Sequence, residues 1–135
     1  MTKVATRIST AFAATTLPAA DLERAKSFYE ERLGLEVEQR DDMPESLFVH
    51  GGNGSLLVIY GRGRGGDGDH TSVTFEVDDV EATVADLRSH GVSFEEYDVP
   101  GLKTVNAIAE RDADKAAWFK DSEGNTLCVH ETIAA

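Results

Sequence analysis

Apolar and polar positions along this chain follow two periods, and the two periods recur twice in the same order. Ile8 to Pro18 is a β-rich run of Ala, Thr and Phe, and Asp21 then offers an N-cap to a helix predicted from Leu22 to Leu33. Leu22, Ala25, Phe28, Tyr29 and Leu33 share one helical face, and Gly34 is the stop signal. Three short strands follow, at Glu36 to Arg40, Leu47 to His50 and Ser55 to Tyr60, separated by the turn-forming DDMPE and GGNG segments.

The run GRGRGGDGD, Gly61 to Asp69, reads as a flexible linker, and the order then begins again. Thr71 to Val77 is a strand, and Asp79 caps a helix carrying Val80, Val84 and Leu87 and stopped at Gly91. Strands are predicted at Ser93 to Asp98, Ala116 to Lys120 and Thr126 to His130. LPAAD at 17–21 overlays FEVDD at 75–79 with an offset of 58 (79 minus 21), and Gly54 to Tyr60 overlays Gly124 to His130 with an offset of 70 (124 minus 54). An internal repeat of half the chain means that neither unit is expected to bury its sheet face alone. Module one is placed at about 8–60, the linker at about 61–69 and module two at about 70–131, in a single domain of residues 1–135.

Period-two alternation assigns faces. Val73, Phe75 and Val77 point to the helix and leave Ser72, Thr74 and Glu76 for the other side; Leu127 and Val129 leave Thr126, Cys128 and His130; Leu57 and Ile59 leave Val58 and Tyr60. With Phe119 on the helix side, Trp118, the only tryptophan, falls on the face of Cys128.

LPAADLERAKSFYEERLGLEV, VTFEVDDVEATVADLRSHGV and AAWFKDSEGNTLCVHE resemble, in that order, the first unit, second unit and closing hairpin of the vicinal-oxygen-chelate superfamily, which includes glyoxalases, bleomycin-resistance proteins and extradiol dioxygenases. The resemblance implies an α+β fold of two tandem βαβββ modules, whose mixed sheets form a cup with the helices outside. It also implies a homodimer, with the cup closed either within one chain or by exchange between two. Metal-dependent members place four ligands at inward positions, on the first and last strand of each module. Those positions here are Ala14, Val58, Ser72 and Cys128, which resembles a member lacking the usual metal ligands; Ala and Val offer no donor.

Composition narrows the rest. With 25 acidic against 13 basic residues the net charge is −12, which repels nucleic acid. No run approaches a bilayer span, and the opening residues carry no apolar leader, so a cytoplasmic location is expected. The single cysteine, Cys128, excludes an intrachain disulfide. The expected ligand site is lined by Tyr60, His70, Ser72, Thr74, Glu76, Trp118, Cys128 and His130, with no metal and no cofactor. Trp118 would supply a flat wall.

Three alternatives stay open within that site. Cys128 is a nucleophile candidate with His130 on the same strand face, although alternate residues stand about 7 Å apart. His70 with His130 and Glu76 could form an unusual metal cluster, and His130 or Glu76, with Tyr60, could work as acid and base. The segment 100–114 reads as a lid over the cup or a surface excursion. The expected function is metal-free binding that sequesters a small organic molecule. A lyase, isomerase or dioxygenase with a non-standard site is the runner-up, and an accessory domain with a filled cup is the third reading.

Overall fold

The computed structural model describes residues 6–9, 11–61 and 70–133. The linker expected at 61–69 lies, beyond Gly61, outside the described residues.

Module one consists of β1 (Thr15–Ala19), α1 (Leu22–Ser27), β2 (Glu36–Arg40), β3 (Met43–His50) and β4 (Leu56–Gly61). Asp21 caps α1 by accepting the amide of Arg24 at 3.0 Å. After Ser27 the helix widens into a π-helical turn, Phe28–Arg32, so the element expected to run evenly to Leu33 changes pitch halfway. The sheet order is β1-β4-β3-β2, with β1 and β4 parallel.

Module two repeats this with β5 (Thr71–Glu76), α2 (Val80–Ser89), two short strands β6 (Asp98–Val99) and β7 (Leu102–Lys103), then β8 (Ala109–Glu110), β9 (Asp114–Lys120) and β10 (Thr126–Thr132). Its main sheet is ordered β5-β10-β9-β8, again with the outer first strand parallel to the last. The protein is therefore α+β, built of two tandem βαβββ-type modules with no closed barrel.

Three expectations need correction. The first strand begins at Thr15 rather than Ile8, because the pairing partner available to it starts at Leu57; Ile8 and Phe12 are exposed. Ser93–Asp98 is not one strand: Phe94 makes a single bridge to Phe119, Asp98 belongs to β6, and β9 is paired at Lys115 and Ala116 by β8. The segment expected as a loop supplies that strand. It is neither a lid nor a loose excursion: Glu96 accepts the Thr104 hydroxyl at 2.6 Å and the amide of buried Ala107 at 2.9 Å, and Asn106 ties the hairpin to Arg88 of α2 at 3.1 Å. Asn106 and Ala107 both adopt left-handed backbone, φ 52° and 73°. For Ala that conformation costs about 1 kcal/mol.

Helix-side residues of both sheets enter one core: Leu17, Tyr29, Leu47, Val49 and Ile59 from module one, and Val80, Val84, Phe119, Leu127 and Val129 from module two. Leu33 and Leu35 line, with Phe75, Val77 and Leu87, a small apolar cavity of about 150 Å³ at the seam. Because the helix-side faces share this core, the opposite face of each sheet looks away from it.

The β9–β10 turn bolts the modules together. The buried Glu123 carboxylate accepts the amides of Ala20 and Asp21, both at 2.9 Å, and two bonds from Arg24 at 2.7 and 3.0 Å. Burial alone would raise its pKa, but Arg24, the Asp21 amide and the Ser122 hydroxyl outweigh burial and hold it at about 2. Beside it Asp121 accepts the buried Tyr29 phenol at 2.6 Å, and Asn125 donates to Pro18 O at 3.1 Å.

Candidate functional site

The open face of module two is assembled by three adjacent strands. Register sets Thr74, Cys128 and Trp118 in one row, and Glu76, His130 and Ala116 in the next. The alternation read from the sequence holds here: Leu127, Val129 and Phe119 face the core and are almost completely buried.

His130 is the centre of the second row. Its Nδ1 lies 2.6 Å from Glu76 Oε1 and its Nε2 lies 2.9 Å from Asp114 Oδ2. Ionised carboxylates only accept, so the protonated ring can donate to both at once, from Nδ1 to Glu76 and from Nε2 to Asp114. Its pKa is raised, by the bond to Glu76 first and by Asp114 second. Arg111 and then His130 hold Asp114 down at about 2, and the His130 bond also depresses Glu76. The second Glu76 oxygen accepts the Thr132 amide at 2.9 Å. Both ring nitrogens of His130 and both Glu76 oxygens are thus engaged within the protein.

The first row has a different character. Cys128 is 4% exposed, and burial pushes its thiol up to about 11, which disfavours the thiolate that a nucleophile needs. Its Sγ lies 3.5 Å from Val129 O. Trp118 is half-buried, its Nε1 donates to Thr71 Oγ1 at 3.1 Å, and Tyr97 meets the ring edge-on at a centroid distance of 5.6 Å and 88°.

The remaining site residues are dispersed. Ser72 is part-buried in β5, His70 is exposed just before that strand, and Tyr60 stands on β4 of the other sheet. Thr74 and Glu76 also line a crevice of about 460 Å³ between the free edge of β5, Phe12 and the β3–β4 turn. His70 does not join His130 and Glu76 in a metal cluster, and among the described residues no group of three or more His, Cys, Asp or Glu is arranged to hold a metal ion.

Asp114, Arg111, Tyr97 and Thr71 were missed from the sequence. Asp114 had a signal, since counting back in twos from Trp118 through Ala116 places it on the same face. Tyr97 had none, because it lies outside regular structure.

The family's metal positions can now be tested by their donors. Pairing sets Thr16, not Ala14, beside Val58, and Thr74, not Ser72, opposite Cys128; Ala14 lies ahead of β1. Either choice gives a set in which a buried, protonated thiol is the strongest ligand, and such a set does not fit a divalent ion.

A profile of the Glyoxalase/Bleomycin resistance protein/Dioxygenase superfamily matches residues 11–129, and the chain belongs to that superfamily, as a member lacking its usual metal ligands. No curated protein sequence matches the chain. Among solved structures it is similar to TnmS3, an antibiotic binding protein from Streptomyces sp. CB03234, at TM-score 0.64 and 23% identity over 92% of this chain and 98% of that one. It is also similar to a putative glyoxalase family protein from Bacillus anthracis, at TM-score 0.71 and 15% identity over 98% and 100% of the two chains. Lactoylglutathione lyase from Agrobacterium tumefaciens gives TM-score 0.64 and 20% identity over 90% and 93%. At such identities the likeness fixes the fold, and the fold hosts both binders and enzymes. Among the described residues no helix is long and apolar enough to cross a membrane.

Proposed function

We propose that this protein binds and sequesters a small organic molecule without a metal, in a cup completed by a second copy of the chain. The observation that carries this reading is the donor set: the positions that hold metal elsewhere in the family present Ala or Thr, Val, Ser or Thr and a protonated Cys128, while His130 spends both nitrogens on carboxylates. A site with no free base, nucleophile or ligand set is suited to holding a molecule rather than converting it. The described antibiotic-binding relative is consistent with such a role. A dimer fits this reading, because the open faces look away from the shared core and a sheet from a second copy would enclose a ligand there.

The test has two parts. Protein purified without chelator is analysed for metals and titrated by calorimetry with zinc, nickel, manganese and iron(II); the expected result is no binding tighter than about 10 μM, roughly 7 kcal/mol. Small molecules bound in a screen are then recovered and identified. Recovery unchanged supports sequestration. One tightly held metal per site, or a converted product, overturns it in favour of a lyase, isomerase or dioxygenase type of enzyme. Sedimentation at micromolar concentration is expected to give a dimer.

A further inference from the structure

The chain has three asparagines, at positions 53, 106 and 125, and their surroundings differ in the respect that decides how long an asparagine survives in water. The side-chain amide is lost when the backbone nitrogen of the next residue reaches its carbon. That reaction needs an untethered side chain, an unobstructed nitrogen after it and room for the backbone to turn.

Two of the three are shut. Asn125 is 3% exposed, its Nδ2 donates to Pro18 O at 3.1 Å and to Asp121 Oδ2 at 2.9 Å, and Thr126 after it is also buried. Asn106 is exposed, but its Oδ1 accepts Arg88 at 3.1 Å, and the nitrogen that would attack, that of buried Ala107, donates to Glu96 at 2.9 Å.

Asn53 is the reverse case. A glycine follows it, and Gly52 to Ser55 are all exposed. The turn is closed by the Gly51 amide on Ser55 O at 2.9 Å and by the amide and hydroxyl of Ser55 on Gly52 O at 3.1 and 2.8 Å. Neither the Asn53 side chain nor the Gly54 amide takes part in those bonds. A Cβ added at Gly52 or Gly54 would meet nothing within 4 Å, so the peptide stands in open space. Ring closure requires Asn53 to rotate away from its ψ of 34°, and the glycines on either side give the turn the torsional freedom for it.

We propose that Asn53–Gly54 is a modification site at which the folded protein deamidates with water as the only co-reactant. The Gly54 nitrogen gives its proton to solvent hydroxide and bonds to Asn53 Cγ; the Cγ–Nδ2 bond breaks, and ammonia leaves with a proton taken from water, closing a succinimide ring. Water then adds to one of the two ring carbonyls and cleaves its bond to the Gly54 nitrogen, which recovers a proton. Opening at Cγ gives aspartate, and opening at the main-chain carbonyl gives isoaspartate. Either product brings a negative charge to the crevice that Asn53 lines with Thr74 and Glu76. Isoaspartate also lengthens, by one carbon, the turn that sends β3 into β4.

The full-length protein is incubated at neutral and mildly alkaline pH in water enriched in heavy oxygen, folded in one sample and in guanidinium chloride in the other, and mapped by peptide mass spectrometry with fragmentation to the residue. In the folded sample, residue 53 is expected to lose ammonia and gain one heavy oxygen at least roughly tenfold faster than residues 106 and 125, and faster at the higher pH. Denaturant is expected to accelerate positions 106 and 125 far more than position 53, and Asn53→Gln to suppress the modification there. Asn53→Asp carries the charge without the extra carbon, so aged protein enriched in isoaspartate is expected to melt below it.

If residue 53 stays intact in the folded sample and reacts only in denaturant, the left-handed turn holds the ring open and the proposal is overturned. Equal rates at all three asparagines in the folded sample overturn the argument from their surroundings. Equal melting of aged protein and Asn53→Asp overturns the consequence drawn for the lengthened turn.

Discussion

The β3–β4 turn and the β9–β10 turn occupy equivalent places in the two modules but are built for different purposes. Gly51–Ser55 carries no acid, is largely exposed, and places Asn53 in left-handed backbone at φ 56°. Asp121–Asn125 buries two carboxylates and an amide and sends all three into module one. The difference shows that the repeat is symmetric in topology and not in energetics. One turn only reverses the chain; its counterpart joins the modules along their helix side and thereby leaves the opposite faces open.

Removing the acid at the centre of the second turn should abolish the contrast. Glu123→Ala strips the acceptor from two backbone amides and from Arg24, and is expected to cost about 3 kcal/mol in urea unfolding, with loss of a single cooperative transition. Tyr29→Phe leaves Asp121 with its other partners and should cost about 1 to 1.5 kcal/mol by the same measurement. The exposed turn should scarcely respond: Asn53→Gly removes a mildly disfavoured φ at the expense of a looser unfolded chain, so a change within about 0.5 kcal/mol is expected. A larger effect at Asn53 than at Tyr29 would invert the comparison.

The smallest effect belongs to the polar group on the open face, and it depends on pH. His130 has its pKa raised in the folded protein, so its contribution is fully present below the ordinary histidine value of about 6.5 and is lost as pH rises through the folded value. Asp114, depressed to about 2, contributes above the ordinary carboxylate value and loses that contribution as pH falls toward 2. The melting temperature should therefore decline modestly as pH rises above the ordinary histidine value of about 6.5, and His130→Gln should flatten that decline.

Much of the fold was legible because one face of each main strand is fully committed to a core. Val73, Phe75, Leu127 and Val129 could point only one way, and the facing of Trp118 and His130 followed from theirs. What pairs across strands was less legible. The partnership of His130 with Asp114 depends on the β9–β10 register, and the choice of Thr16 over Ala14 depends on where β1 meets β4, neither of which alternation within one strand determines. The strand expected at Ser93 to Asp98 failed for a related reason. Apolar residues there do pack, as Phe94 does on Phe119, but the edge of β9 is shared, with Ala109 and Glu110 pairing at Ala116 and Lys115.

The Glu123 staple joins residues about a hundred positions apart, 103 in the case of its bond to the Ala20 amide. During synthesis, α1 leaves the ribosome long before the acid that will hold its first turn exists, and β5 likewise waits for β10, its neighbour in the sheet. The emerging chain must keep the apolar side of its first module covered without the help of the second, and it stays exposed to wrong pairings until the last strand arrives. The arrival of β10, and not the completion of module one, is the moment at which the two modules can lock together.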